Sequence, residues 1–157
     1  RTAINQEAEA LLAAHGNSIL RLAYSYLHNQ SDAEDILQDT LIQYLRTAPT
    51  LESPAHEKAW LLRVAGNLSK NLLRAQGYRQ ADQLEETLDA QEREDLSYVW
   101  DAVKALPVPY REAIHLFYYE GYSTPEIAEL LGVPLNTVTT RLSRARAKLK
   151  NFLTEDD

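Results

Sequence analysis

The chain has 157 residues, 45% of them hydrophobic, with a formal net charge of −7 and no cysteine. That length allows one ordinary domain or two small ones, and neither half alone would hold a large core. Without cysteine there is no disulfide framework, thiol nucleophile or thiolate metal site, which fits a reducing cytoplasm, and no apolar run approaches the length of a membrane span. Methionine is also missing and the chain begins at Arg1, so a native start upstream of it is expected.

From about Ile4 to His28 a helical period runs through Ala8, Leu11, Leu12, Ile19, Leu22, Ala23, Tyr26 and Leu27, with Gly16-Asn17 as a place where it could break. His28-Asn29-Gln30 closes this stretch. Ser31-Asp32-Ala33-Glu34 has the spacing of a capping box, and the helix it opens places Ala33, Ile36, Leu37, Thr40, Leu41, Tyr44 and Leu45 on one face. Asp35, Gln38 and Asp39 fall away from that stripe, either as a solvated face or as one offered to a partner. Pro49 to Pro54 is a loop. Ala59, Trp60, Leu62, Val64, Leu68, Leu72 and Leu73 then predict a third long helix ending near Gly77, with Trp60 placed to pack in the core. Helices of this kind make a compact bundle.

Between Gln80 and Asp95 the composition turns to Asp82, Glu85, Glu86, Asp89, Glu92, Glu94 and Asp95. A segment so charged buries too little surface to offset its ordering entropy, so a mobile linker and a domain boundary are expected there. Val99, Trp100, Val103 and Leu106 start a second helical unit, interrupted by Pro107-Val108-Pro109 and continued by Ile114, Leu116, Phe117 and Tyr118. Ser123-Thr124-Pro125-Glu126 opens a short helix through a capping box, with Ile127, Ala128, Leu130 and Leu131 directed inward. Gly132-Val133-Pro134 breaks it. In the helix that follows, Val138, Leu142, Ala145, Leu149 and Phe152 form the buried stripe and leave Asn136, Thr137, Thr140, Arg141, Arg144 and Lys148 outside. A basic helix free of carboxylates, held at a sharp angle by a short turn, is the shape that enters a DNA major groove.

The acidic total does not oppose that reading, because local charge governs phosphate binding. No acid lies between Lys58 and Ala81, where Lys58, Arg63, Lys70, Arg74 and Arg79 occur. None lies between Leu130 and Thr154, which carries Arg141, Arg144, Arg146, Lys148 and Lys150. Catalysis has no comparable support. Glu34-Asp35 and Glu85-Glu86 lack a placed nucleophile, His15, His28, His56 and His115 show no ligand spacing, and no phosphate-binding glycine loop occurs. The expectation is an all-α protein that is no enzyme and takes no metal, cofactor or small-molecule substrate. On the residues alone, an autonomous DNA-binding regulator and a helical interaction module with a vestigial helix-turn-helix both remain open.

Four stretches together carry a family resemblance. Ser31 to Asp39, Lys58 to Asn67, Leu106-Pro107 through Glu112, and Glu126-Ile127-Ala128 with Thr137 to Arg146 resemble the extracytoplasmic-function (ECF) group of sigma-70-type RNA polymerase sigma factors, in that order and over nearly the whole chain. Any one of them alone is a weak signal.

The resemblance implies two helical domains, sigma region 2 over 1–79 and sigma region 4 over 97–157, joined by the acidic linker 80–96. It implies that Asp35, Gln38 and Asp39 dock on the clamp helices of core RNA polymerase. Asn67 would read a base of the melted -10 element, with Lys58, Trp60, Arg63, Lys70, Arg74 and Arg79 around the opened strand. An amide donates and accepts on one base edge, and an unstacked base exposes that edge. Asn136, Thr137, Thr140, Arg141, Arg144 and Lys148 would meet the -35 duplex. Promoter DNA, the polymerase core and an inhibitory anti-sigma factor are the implied partners, all in the cytoplasm. Two departures stand out. Many relatives carry glycine before the Thr-Val pair and a basic residue after it, where this chain has Asn136 and Thr139. Asn136 is expected to cap the recognition helix, and the loss of a positive charge at Thr139 either to weaken a DNA contact or to alter sequence preference.

Overall fold

Among the described residues, apolar residues recurring at three- and four-residue steps form helices, while Val99 and Trp100, expected to start the second unit, lie outside them. The computed structural model describes the backbone of residues 2–77 and 103–155, and no strand occurs among them. The chain divides into two units, Arg1–Ala75 and Gln76–Asp157. The acidic segment 80–96 lies outside the described residues.

The first unit is built from α1 (Thr2–Leu27), α2 (Gln30–Thr47) and α3 (Pro54–Gln76). Gly16-Asn17, where the helical period could have broken, does not interrupt it, and α1 passes through unbroken. A glycine costs a helix about 1 kcal/mol, and burial of Leu11, Ile19, Leu22, Ala23 and Tyr26 on the same helix outweighs it. Leu12, expected on the apolar stripe, is instead 43% exposed. After α1 the chain reverses at His28, whose φ of 52° is left-handed and whose N–H donates to the Tyr24 carbonyl at 2.8 Å. The next cap is therefore Asn29 and not the predicted Ser31. The Asn29 Oδ1 accepts from the Asp32 N–H at 2.9 Å, and Ser31 lies inside the first turn.

Ala33, Ile36, Thr40 and Tyr44 of α2 are buried, as the period predicts. Thr40 hides its hydroxyl by donating to the Ile36 carbonyl at 2.7 Å. A polar latch ties the three helices together. His15 Nε2 lies 2.9 Å from Glu57 Oε1, and the Tyr44 hydroxyl donates to Glu57 Oε2 at 3.4 Å. Burial, reinforced by the carboxylates of Glu57 and Glu7, raises the Tyr44 phenol above its ordinary pKa and keeps it a donor. Trp60 meets Tyr44 edge to face with 5.7 Å between ring centroids, the packing role its position suggested. On α3, Gly66 faces the Tyr26 phenol of α1 so closely that a Cβ there would sit 3.2 Å from the phenolic oxygen.

The second unit contains α4 (Val108–Ile114), a π-helical turn (His115–Tyr119), α5 (Thr124–Leu131) and α6 (Leu135–Glu155). Its core gathers Leu106, Ala113, Ile114, Leu116, Ile127, Leu130, Val138, Leu142 and Ala145. The side chain of Phe152 lies outside the described residues. Pro107-Val108-Pro109 starts α4, with the prolines tolerated where the first amides have no helical acceptor. The predicted capping box of α5 is present. Ser123 Oγ accepts from the Glu126 N–H at 3.3 Å, and the Ser123 N–H donates to Glu126 Oε1 at 2.8 Å. Gly132 takes the left-handed φ of 68° that ends α5. The carbonyl of Pro134 then accepts from the amides of Thr137 and Val138, so Asn136 sits in the first turn of α6 and is not its cap.

Candidate nucleic-acid interface

On α6 the buried stripe of Val138, Leu142 and Ala145 fixes which residues face out. Asn136, Thr140, Arg144 and Lys148 are exposed, while Thr137 and Arg141 are half-buried. The partial shelter comes from α4. Asn136, Thr137, Thr140, Arg141 and Arg144 line one open groove of about 430 Å3 together with Pro107, Pro109 and Tyr110, and no carboxylate lines it. Lys148 lies outside this groove, one turn beyond Arg144. The sequence reading missed the α4 wall because the proline pair registered only as a break in the helical pattern.

Arg146 behaves differently from its basic neighbours, which the sequence did not reveal. Its Nε donates to the Tyr118 hydroxyl at 2.7 Å, and its guanidinium carbon lies 5.4 Å from the Phe117 ring centroid and 5.6 Å from that of Tyr118. These contacts brace α6 on the π turn. The turn has its own fastening. His115 Nε2 lies 2.9 Å from Glu120 Oε2, and the His115 ring stacks on Tyr119 at 5.3 Å. The helix-turn-helix is thus held from behind by polar and aromatic contacts as well as by its apolar core.

In the first unit, Arg63, Asn67 and Arg74 are exposed on α3, with Lys70 half-buried between them. Steps of four, three and four residues place these side chains on one helical face, opposite Leu61, Leu62, Ala65 and Ser69. Lys58 and Trp60, both half-buried, lie one to two turns earlier, and Trp60 presents its ring to Tyr44. Arg74 donates to Asn71 Oδ1 at 2.6 Å, which steers its guanidinium along the helix. Arg79 is outside the described residues.

Asp35, Gln38 and Asp39 are all exposed on α2, opposite its buried stripe. Ile42, 47% exposed, continues that face by one turn and gives it an apolar end that the sequence reading had not singled out. Among the described residues no group of three His, Asp or Glu side chains could hold a metal ion, and no helix is long and apolar enough to cross a membrane.

Comparison with known proteins matches this geometry from both ends of the chain. Residues 11–79 match the family model for sigma-70 region 2, and residues 96–149 match that for sigma-70 region 4. The chain is 33% identical to the RNA polymerase sigma factor SigV of Bacillus subtilis, over 97% of this chain and 96% of the relative. It is 32% identical to the ECF RNA polymerase sigma factor SigE of Mycolicibacterium smegmatis over 92% of this chain, and the match spans 61% of that longer relative. Among solved structures, the sigma factor RpoE of Bartonella quintana, in complex with the anti-sigma factor NepR, superposes with a TM-score of 0.74 at 26% identity, covering 95% of this chain and 97% of that one.

Proposed function

The chain belongs to the ECF group of sigma-70 factors, and from that membership we propose that it binds core RNA polymerase and directs transcription initiation by reading both promoter elements. Residues 1–79 act as region 2 and residues 97–157 as region 4, with 80–96 as the acidic connection. The observation that carries the reading is the groove on α6, where Asn136, Thr140, Arg141 and Arg144 converge with no carboxylate among them. A helix presenting such a face reads duplex bases and phosphates in a major groove. On α3, Asn67 sits on an exposed face flanked by Arg63 and Lys70, which suits a base lifted from the stack between neutralised phosphates.

Asp35, Gln38 and Asp39 dock on the polymerase clamp helices, since they form an exposed polar face that the fold does not use. The chain acts by binding and not by catalysis, in the cytoplasm where the polymerase works. An anti-sigma factor holds it inactive until a signal arrives, a role supported by the complex in which its Bartonella counterpart was solved. Run-off transcription with purified core polymerase and a library of genomic promoter fragments tests the reading. Initiation that depends on the added chain is the expected result. A chain that leaves the core inactive on every fragment, yet binds a paired operator alone as a dimer, would be a repressor instead.

A further inference from the structure

The outer face of α6 carries a second strip beside the polar one. Leu135 is 46% exposed at the start of the helix, and Thr139, four residues on, is exposed next to it. The Thr139 hydroxyl donates its only proton to the Asn136 carbonyl at 3.0 Å. Guanine shows the major groove only acceptors, its N7 and O6. A hydroxyl whose proton is committed to the helix offers guanine no donor. What Thr139 still offers is a γ-methyl group, with the Leu135 side chain adjoining it. The remaining hydroxyl lone pairs would accept from an adenine or cytosine amino group only with an apolar leucine crowding that polar contact. Thymine alone presents a methyl group in the major groove.

We infer that Thr139, backed by Leu135, reads the 5-methyl group of a thymine in the -35 duplex, so that the promoters of this factor carry thymine at the base pair facing Thr139. This rests on the sigma-factor reading and names a specificity contact within it. Arg141, Arg144 and Asn136 are left to read neighbouring pairs.

The test uses holoenzyme assembled from the full chain and core polymerase. Promoter fragments with a randomised upstream duplex are first selected for initiation. Each thymine of the selected element is then replaced by deoxyuridine, which removes only the methyl group. At one position this change should weaken wild-type binding about fourfold, the effect of exposing one buried methyl group. Thr139→Val, which keeps the methyl and loses the hydroxyl, should retain that sensitivity. Thr139→Ser, which keeps the hydroxyl and loses the methyl, should bind thymine and deoxyuridine alike at that position, and Leu135→Ala should narrow the difference. Initiation with no thymine position whose deoxyuridine response depends on Thr139 overturns this inference and leaves the sigma reading standing. Failure to initiate from any fragment removes the sigma reading and the inference with it.

Discussion

Asn67 and Arg144, proposed to meet melted and duplex DNA respectively, carry different chemistry, and single substitutions separate the two proposed roles. An amide can satisfy donor and acceptor together on an unpaired base edge, whereas a guanidinium forks onto two acceptors of a paired guanine. Asn67→Ala should therefore weaken holoenzyme binding to a promoter pre-melted at the -10 element and leave binding to the upstream duplex unchanged. Arg144→Ala should do the reverse, with a loss of about 1–3 kcal/mol if its contact is a bidentate pair. Competition binding on the two templates checks both, and equal losses on each template for each variant would overturn the division of roles. Both side chains are exposed, so neither change should cost the fold much.

At the scale of the element, the entry to α5 is a titrating device. The hydrogen bond from the Ser123 amide holds the Glu126 carboxyl below the ordinary glutamate pKa, with the Ser123 hydroxyl contributing further. A carboxyl whose folded pKa is lowered adds stability that is complete above its unfolded pKa and disappears as pH falls through the folded one. Urea unfolding at a series of acidic pH values should show this loss in the wild type and not in Glu126→Gln, whose amide keeps the acceptor without titrating. Ser123→Ala should cost about 1 kcal/mol at neutral pH. On α2, reversing charge at Asp39 and truncating Gln38 should lower affinity for core polymerase while the melting temperature stays near wild type, since both are exposed. Unchanged affinity in the double variant would remove the docking assignment. These elements were legible in the sequence because a helical period needs only spacing, and a capping box only two residues three apart. The Asn29 cap was hidden because it depends on His28 adopting a left-handed backbone, which no pattern of hydrophobicity encodes. The His15–Glu57–Tyr44 latch and the Arg146–Tyr118 brace were hidden because they join residues far apart in sequence, and only the folded packing brings them together.

For the molecule as a whole, the net charge of −7 works against indiscriminate attraction to DNA. Nine of the sixteen lysines and arginines lie on α3 and α6, so the proposed DNA binding is assigned to those helices and not to the total. Promoter affinity of the holoenzyme should fall with rising salt, and each phosphate contact removed should reduce the slope of log affinity against log salt by about 1. Arg63→Ala, Arg74→Ala and Lys148→Ala should each show this reduction if they touch phosphate. Arg146→Ala should leave the slope unchanged, because its guanidinium is engaged with Tyr118 and Phe117. A salt titration of the four variants on one promoter decides between them. A lowered slope for Arg146→Ala would mean that its aromatic partners release it to DNA.

The close approach of Gly66 to Tyr26 reaches beyond packing. Asn67 is the next residue, so the amide proposed to read the melted strand takes its position from how near α3 can come to α1. A single methyl group added at position 66 would press on a buried phenol, directly beneath the residue proposed to meet DNA and without altering that residue's own atoms. On the proposed assignment of Asn67, the core volume beneath position 66 is a hidden adjustment screw for promoter preference. A lineage could retune strand opening through the volume of its core, and a comparison restricted to DNA-facing positions would find no difference to account for it.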